Sequence, residues 1–285
     1  MRFKLAALPL MLLAVTATAE EYTSITTVDY SNLDLDGADG NLFGAETSYY
    51  FSGKESLGPL KEFEYINKVT NVSAAFTHFD VGSFDSDNFA VAGEYFANNG
   101  LMVGANITEV DDDNVNTISL GYLFTPNFLV KLSHVDNDYD DETLVEARYN
   151  YQLNGNDYIG FDFVTDDDFD ARVFSTKYFA SLGGDQYWTA DFAYTSIDDG
   201  DNYWKVGAEY YFTKSTSIGV KYDDNQDFKL GYSHFFSQNI AVEAAYSTML
   251  FDDLNLRSFG NEAYSSGSSA DIEVDKFELG LTVQL

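Results

Sequence analysis

The chain is 285 residues long, 45% hydrophobic and 16% aromatic, with 15 basic residues against 47 acidic ones and a formal net charge of −32. That balance argues against a nucleic-acid partner, because a phosphate backbone is held by Lys and Arg. With no Cys there is no disulfide framework, no thiolate metal site and no cysteine nucleophile.

At the N-terminus, Arg2 and Lys4 precede an apolar run from Leu5 to about Val15, and Ala17-Thr18-Ala19 supplies the small residues that a signal peptidase requires. Residues 1–19 therefore read as a cleaved secretory signal peptide, with the mature chain starting at Glu20. The run falls short of the roughly 20 residues a helix needs to span a bilayer, and nothing after it reaches about 18 uninterrupted apolar residues. A helical membrane protein is excluded.

The remainder, 20–285, divides into about sixteen segments, each near the roughly 9 to 11 residues of a tilted transmembrane strand. They are predicted at about 22–30, 41–51, 62–80, 87–97, 100–110, 115–125, 128–137, 142–152, 157–165, 169–180, 185–197, 202–212, 216–223, 227–236, 240–251 and 274–285. Period two carries the prediction. Ile118, Leu120, Tyr122 and Phe124 alternate with Thr117, Ser119 and Gly121; Trp204, Val206, Ala208, Tyr210 and Phe212 alternate with Lys205, Gly207, Glu209 and Tyr211. In the same way Phe228, Leu230, Tyr232 and His234 alternate with Lys229, Gly231 and Ser233. The stretch from Glu62 to Phe79 breaks the pattern, since Phe63 and Tyr65 occupy odd positions while Val72, Ala74 and Phe76 occupy even ones; a bulge within one strand would reconcile them.

Connectors alternate in chemistry. Asp111-Asp112-Asp113, Asp166-Asp167-Asp168 and Asp198-Asp199-Gly200-Asp201 take turns with neutral Asn98-Asn99-Gly100, Thr125-Pro126-Asn127 and Ser237-Gln238-Asn239. Two rims in different compartments follow, the acidic one outside. Pro59 and Pro126 fall in the opposite, bottom turns, where no ladder donor is lost. One long connector, about 252–273, contains Ser265-Ser266-Gly267-Ser268-Ser269 and reads as an external loop. Aromatics gather near strand ends as Tyr49-Tyr50-Phe51, Tyr210-Tyr211-Phe212 and Phe235-Phe236, the pattern of a membrane girdle. The fold expected is all-β, an antiparallel up-and-down transmembrane barrel with both termini on the periplasmic side; a soluble sandwich, with its polar face outward, is the competing fold.

The last strand, Glu278-Leu279-Gly280-Leu281-Thr282-Val283-Gln284-Leu285, resembles the C-terminal signal read by outer-membrane assembly machinery, with Glu278, Gly280, Val283 and Leu285 in the signal positions and Leu where Phe is commonest. With the leader and the strand count, the mature chain resembles a general diffusion porin of the Gram-negative outer membrane, most like the general bacterial porins with short surface loops. The Gly58-Pro59-Leu60 turn is similar to that family's too. The resemblance implies a passive channel, no catalytic residue, outer-membrane lipids and lipopolysaccharide as surroundings, and a homotrimer with a long third external loop folded into the pore. This chain departs at that loop, about Asp111 to Asn114, which is too short to reach a lumen centre; eyelet and trimer are left open.

A barrel of about 16 strands is too wide for side chains to fill, so water occupies the middle. Alternation then places Lys131, Glu146, Arg148, Asp162, Lys177, Asp191, Lys205, Glu209, Lys221, Lys229 and Glu243 on the pore lining, because a lipid-facing Lys at mid-membrane costs roughly 2–4 kcal/mol. Placing Lys177 inward leaves Arg172 outward, tolerable only near a rim. Lys205, Lys221 and Lys229 form a basic patch facing acidic Glu146, Asp162 and Asp191, unless these charges simply pair with one another. Acidic outer turns concentrate cations at the mouth, so weak cation selectivity is expected for ions and small hydrophilic solutes.

Other function classes find less support. Asp34-Leu35-Asp36-Gly37-Ala38-Asp39-Gly40 spaces carboxylates but lacks the EF-hand frame, so no metal site and no cofactor is expected. A barrel hydrolase needs a base beside its nucleophile, and His78, His134 and His234 are all placed on the lipid face near outer strand ends, or close to it. Adhesion would rest on the 252–273 connector alone. No plug domain precedes the first strand, which disfavours energy-coupled uptake.

Overall fold

The computed structural model describes residues 21–35, 38–110, 113–137, 141–250 and 273–285. Residues 1–20, which include the expected signal peptide, residues 251–272 and parts of the acidic turns lie outside the described residues. Within them, sixteen antiparallel strands close into one barrel. They are β1 (Glu21–Leu35), β2 (Ala38–Glu55), β3 (Asn71–Val81), β4 (Phe84–Phe96), β5 (Leu101–Val110), β6 (Asp113–Thr125), β7 (Phe128–Asn137) and β8 (Glu142–Gln152). The second half comprises β9 (Tyr158–Asp166), β10 (Ala171–Gly183), β11 (Gln186–Ile197), β12 (Tyr203–Thr213), β13 (Thr216–Asp223), β14 (Phe228–Phe235), β15 (Ile240–Leu250) and β16 (Glu273–Gln284). Each strand pairs with its sequence neighbours, and β16 closes on β1 from Ile25↔Gln284 to Leu35↔Val274. No edge strand is left unpaired, which removes the template for aggregation that an open sheet presents.

Alternation decides which face is which. Ile118 (67% exposed), Leu120 (56%) and Phe124 (60%) share the outward face of β6, and comparable rows of bare apolar side chains surround the barrel. A water-soluble protein rarely leaves so continuous an apolar surface. In hydrocarbon the same surface needs no cover, and the closed ladder pairs each described strand with a neighbour on both sides. The soluble alternative is therefore excluded by the face that carries the charge: Glu146, Asp162, Lys177 and Glu209 all point to the inside, where Glu146 is buried.

β1 and β2 run to residues 35 and 38, past their expected outer ends. The reason is an apolar cluster on the inner face, Leu33, Leu35, Leu42, Phe79 and Val274, which gives the ends of four adjacent strands something to pack on. The larger correction concerns the expected strand 62–80. Only Asn71–Val81 is strand. Residues 56–70 leave the sheet, and the break in parity at Phe63 and Tyr65 marks this departure rather than a bulge. Gly58-Pro59-Leu60 opens a tight turn in which the Leu57 amide donates to the Glu62 carbonyl and the Glu62 amide to that of Pro59.

The aromatic clusters also divide. Tyr210 and Phe212 meet edge to face at 5.0 Å on the outer surface, as do Tyr49 and Phe51 at 5.3 Å. These belong to an aromatic girdle, at the end opposite the Asp-rich turns, that continues through Tyr122, Phe124, Phe128 and Tyr149. Tyr211 and Phe235, one residue away in parity, are turned inward and buried.

Candidate functional site: the charged lumen and its floor

Residues 56–70 begin at the β2–β3 junction yet make their contacts halfway round the barrel. The Leu60 amide donates to the carbonyl of Lys214 in the β12–β13 turn, and the Asn156 side chain in the β8–β9 turn donates to the Leu57 carbonyl. Leu60 packs on Phe235 and Ala241, and Phe63 meets Tyr22 of β1 edge to face at 6.1 Å. All these partners lie at the strand ends opposite the Asp-rich turns, so the segment forms a floor across that end of the lumen. Two glycines let it close. Gly58 adopts φ 135° with the Tyr187 ring 2.6 Å from where a Cβ would stand, and Gly160 receives the Tyr65 ring, which would lie 2.4 Å from a Cβ there.

The floor is locked electrostatically. Glu62, 6% exposed, accepts from the Tyr211 hydroxyl at 2.6 Å and from Lys177 Nζ at 2.7 Å, while Lys61 Nζ reaches Glu209 at 2.5 Å. A buried carboxylate persists only when paired and hydrogen-bonded, so these contacts specify where the segment sits. Tyr65 stacks obliquely on Tyr158 at 5.6 Å and lies 5.6 Å from the Arg148 guanidinium. Burial, helped by the charge of Asp162, pushes its phenol up, so it stays neutral.

Above this floor opens a cavity of about 580 Å³. Asp162, Lys177, Asp191, Lys205, Glu209, Lys221, Lys229 and Glu243 all border it, and Lys61, Glu62 and Tyr65 contribute from below. Lys131, Glu146 and Arg148 do not border it. They form a chain along the wall: Lys131 to Glu146 at 2.7 Å, Glu146 to Arg148 at 3.2 Å, Arg148 to Asp162 at 2.7 Å. Among the candidate residues for an assembly signal, Glu278 and Gly280 share the inner face of β16. Glu278 pairs with Lys276 at 2.8 Å and Lys229 at 3.4 Å, and it also borders the cavity. Val283 lies opposite Thr26, and the Leu285 amide donates to the Ser24 carbonyl at 2.8 Å, sealing the terminus to β1.

Sequence reasoning missed Lys61, Glu62, Tyr65 and Lys276. For the first three the available signal was a dense run of both charges, Lys61, Glu62, Glu64 and Lys68, in the one segment that broke parity. For Lys276 it was shared parity with Glu278. The expected acidic counterpart to the lysines is only partly such, since Glu146 and Asp162 are engaged by Arg148. His78 bonds Asp87 at 2.8 Å toward the end of β3 that carries the Asp-rich turns, but His234 lies at the opposite end of β14 against Thr216, because β14 runs away from the acidic 224–227 turn. Among the described residues no group of carboxylates and histidines could hold a metal ion.

The model of the putative general bacterial porin family matches residues 3–272. No curated protein matches by sequence. Among solved structures, the Acinetobacter baumannii outer membrane protein Omp33 is similar with a TM-score of 0.54 at 17% identity, over 94% of this chain and 100% of that one. Pseudomonas aeruginosa OpdQ is similar with a TM-score of 0.51 at 12% identity, over 93% and 97%. Pseudomonas aeruginosa OccK7 gives 0.51 at 8% identity, over 93% and 99%.

Proposed function

Because the chain belongs to the putative general bacterial porin family, we propose that it forms a water-filled outer-membrane channel for passive diffusion of ions and small hydrophilic solutes, with weak cation selectivity. The observation that carries this is the closed sixteen-strand barrel whose charged side chains surround one cavity while its apolar ones face outward. Sixteen strands leave a lumen that side chains alone do not fill. Among the described residues the narrowing comes from residues 56–70, at the end of the lumen opposite the Asp-rich turns.

Cation preference is supported by the outer rim. Asp166, Asp167, Asp168 and Asp170 stand at one turn, Asp198, Asp199 and Asp201 at the next, and Asp223, Asp224 and Asp227 at a third. Carboxylates at a mouth raise the local cation concentration within a Debye length of roughly 8 to 10 Å. The apolar exterior meets outer-membrane lipid, and the C-terminal residues Glu278, Gly280, Val283 and Leu285 serve the barrel-assembly machinery before folding. The channel chemistry calls for no cofactor and no catalytic group.

Planar-bilayer recording with the purified protein tests the reading. Discrete conductance steps with a reversal potential shifted toward the cation Nernst potential support it; an insulating barrel, or strong anion preference, would overturn it.

A further inference from the structure

Following register across the wall shows an arrangement the one-dimensional sequence conceals. Lys177 faces Asp191, Asp191 faces Gly207, Gly207 faces Lys221, Lys221 faces Lys229, Lys229 faces Ser247 and Ser247 faces Lys276. This single inward-facing row starts at the floor, where Lys177 holds Glu62, and ends beside Leu33 near the outer end of β1. At its centre two lysines stand directly opposite each other. Like charges in that position repel, and nothing in the sheet requires them there.

Two further features make this a place rather than a stripe. Directly below the lysines, Gly219 faces Gly231, and a Cβ added at Gly231 would meet nothing nearer than Ala245 at 4.0 Å. The paired glycines leave a recess in the cavity wall. Second, the charges around the cavity are mostly matched: Lys61 with Glu209, Lys177 with Glu62, Arg148 with Asp162, Lys229 with Glu278, and Lys205 is likewise engaged. Among the described residues Lys221 has no ion-pair partner, and neither has Glu243, which accepts from the Ser233 hydroxyl at 3.2 Å, nor Asp191, which lies over Gly207.

We propose that the Lys221–Lys229 pair and the Gly219–Gly231 recess bind the carboxylate of a small zwitterionic solute, such as a free amino acid, with Glu243 meeting its ammonium. The unmatched charges are of both signs on one wall, which is complementary to a solute carrying both and to neither a simple anion nor a neutral sugar. Lys221 supplies the attraction that Lys229, shared with Glu278, supplies only in part. Glycine at both recess positions lets the carboxylate come down between the two ammonium groups.

This rests on the channel reading and is tested beside it by swelling of proteoliposomes in isosmotic L-glutamine or in arabinose, a neutral solute of similar mass. The wild-type protein admits L-glutamine about two- to fivefold faster than arabinose, the factor expected of one partly solvated ion pair. Lys221→Gln and Gly231→Val, the second of which fills the recess without altering charge, each bring the ratio to near one; His134→Ala, on the lipid face, retains it. An unchanged ratio in both Lys221→Gln and Gly231→Val, or equal entry of the two solutes in the wild type, overturns the site and leaves the channel standing. Entry of neither solute overturns both.

Discussion

Tyr211 donates its hydroxyl to Glu62 at 2.6 Å, tying a strand on one side of the barrel to a turn that leaves the sheet on the other, 149 residues away in sequence. Lys177 completes the clasp. Removing the hydroxyl with Tyr211→Phe takes one donor from a buried carboxylate, a loss of about 1.5–3 kcal/mol for a hydrogen bond to a charged group. Single-channel conductance is expected to become noisier and larger on average, with the far-UV spectrum of the barrel unchanged. Replacing residues 57–69 by a short Gly-Ser turn enlarges the effect; identical conductance in both variants would mean the floor does not narrow the path.

The wall chain and the rim pair predict opposite outcomes for the two arginines. Arg148 sits between Glu146, whose side chain is 5% exposed, and Asp162; Arg148→Met leaves Asp162 without its cation and Glu146 with Lys131 alone, and is expected to lower stability by about 3 kcal/mol. Arg172 pairs with Asp198 at the rim that carries the Asp-rich turns, where both are partly solvated, and Arg172→Met is expected to change stability by less than about 1 kcal/mol. Urea unfolding in thin lipid vesicles, followed by the fluorescence of Trp188 and Trp204, measures both.

Leu230 faces out from β14, 41% exposed, between inward-facing Lys229 and Gly231. Leu230→Lys puts an ammonium group into hydrocarbon at a penalty of roughly 2–4 kcal/mol, whereas the native Lys229 is accommodated next to it. Equal stability of the variant and the wild type in the same vesicle assay would place water on the wrong face.

These contrasts show what a linear chain does and does not disclose. Alternation of the kind seen along Trp204 to Phe212 was enough to assign faces and strand count, because lipid and water impose period two on every strand alike. It was also enough to move Arg172 to a rim. The floor was hidden because inward folding of residues 56–70 depends on partners such as Lys214, Asn156 and Tyr187, which belong to distant turns and leave no local period. Tyr211 and Phe235 read as girdle aromatics for the same reason, their inward neighbours being far away in sequence. Lys221 and Lys229 were visible as charges, but their direct opposition requires the register of β13 on β14.

Salt dependence separates the two sources of selectivity. The Debye length falls from about 10 Å at 0.1 M to about 3 Å at 1 M, so the contribution of the acidic outer turns to reversal potential is expected to shrink several-fold over that range. Preference that persists undiminished at 1 M salt would have to come from charges in direct contact with the permeating ion, and the mouth would have no role.

The chain contains no native cysteine, so single cysteines report water access without background. Val220→Cys and Lys221→Cys, adjacent on β13, are exposed to a membrane-impermeant thiosulfonate in outer-membrane vesicles. Rapid modification at 221 with none at 220 is the predicted result; modification at 220 with protection at 221 would contradict it.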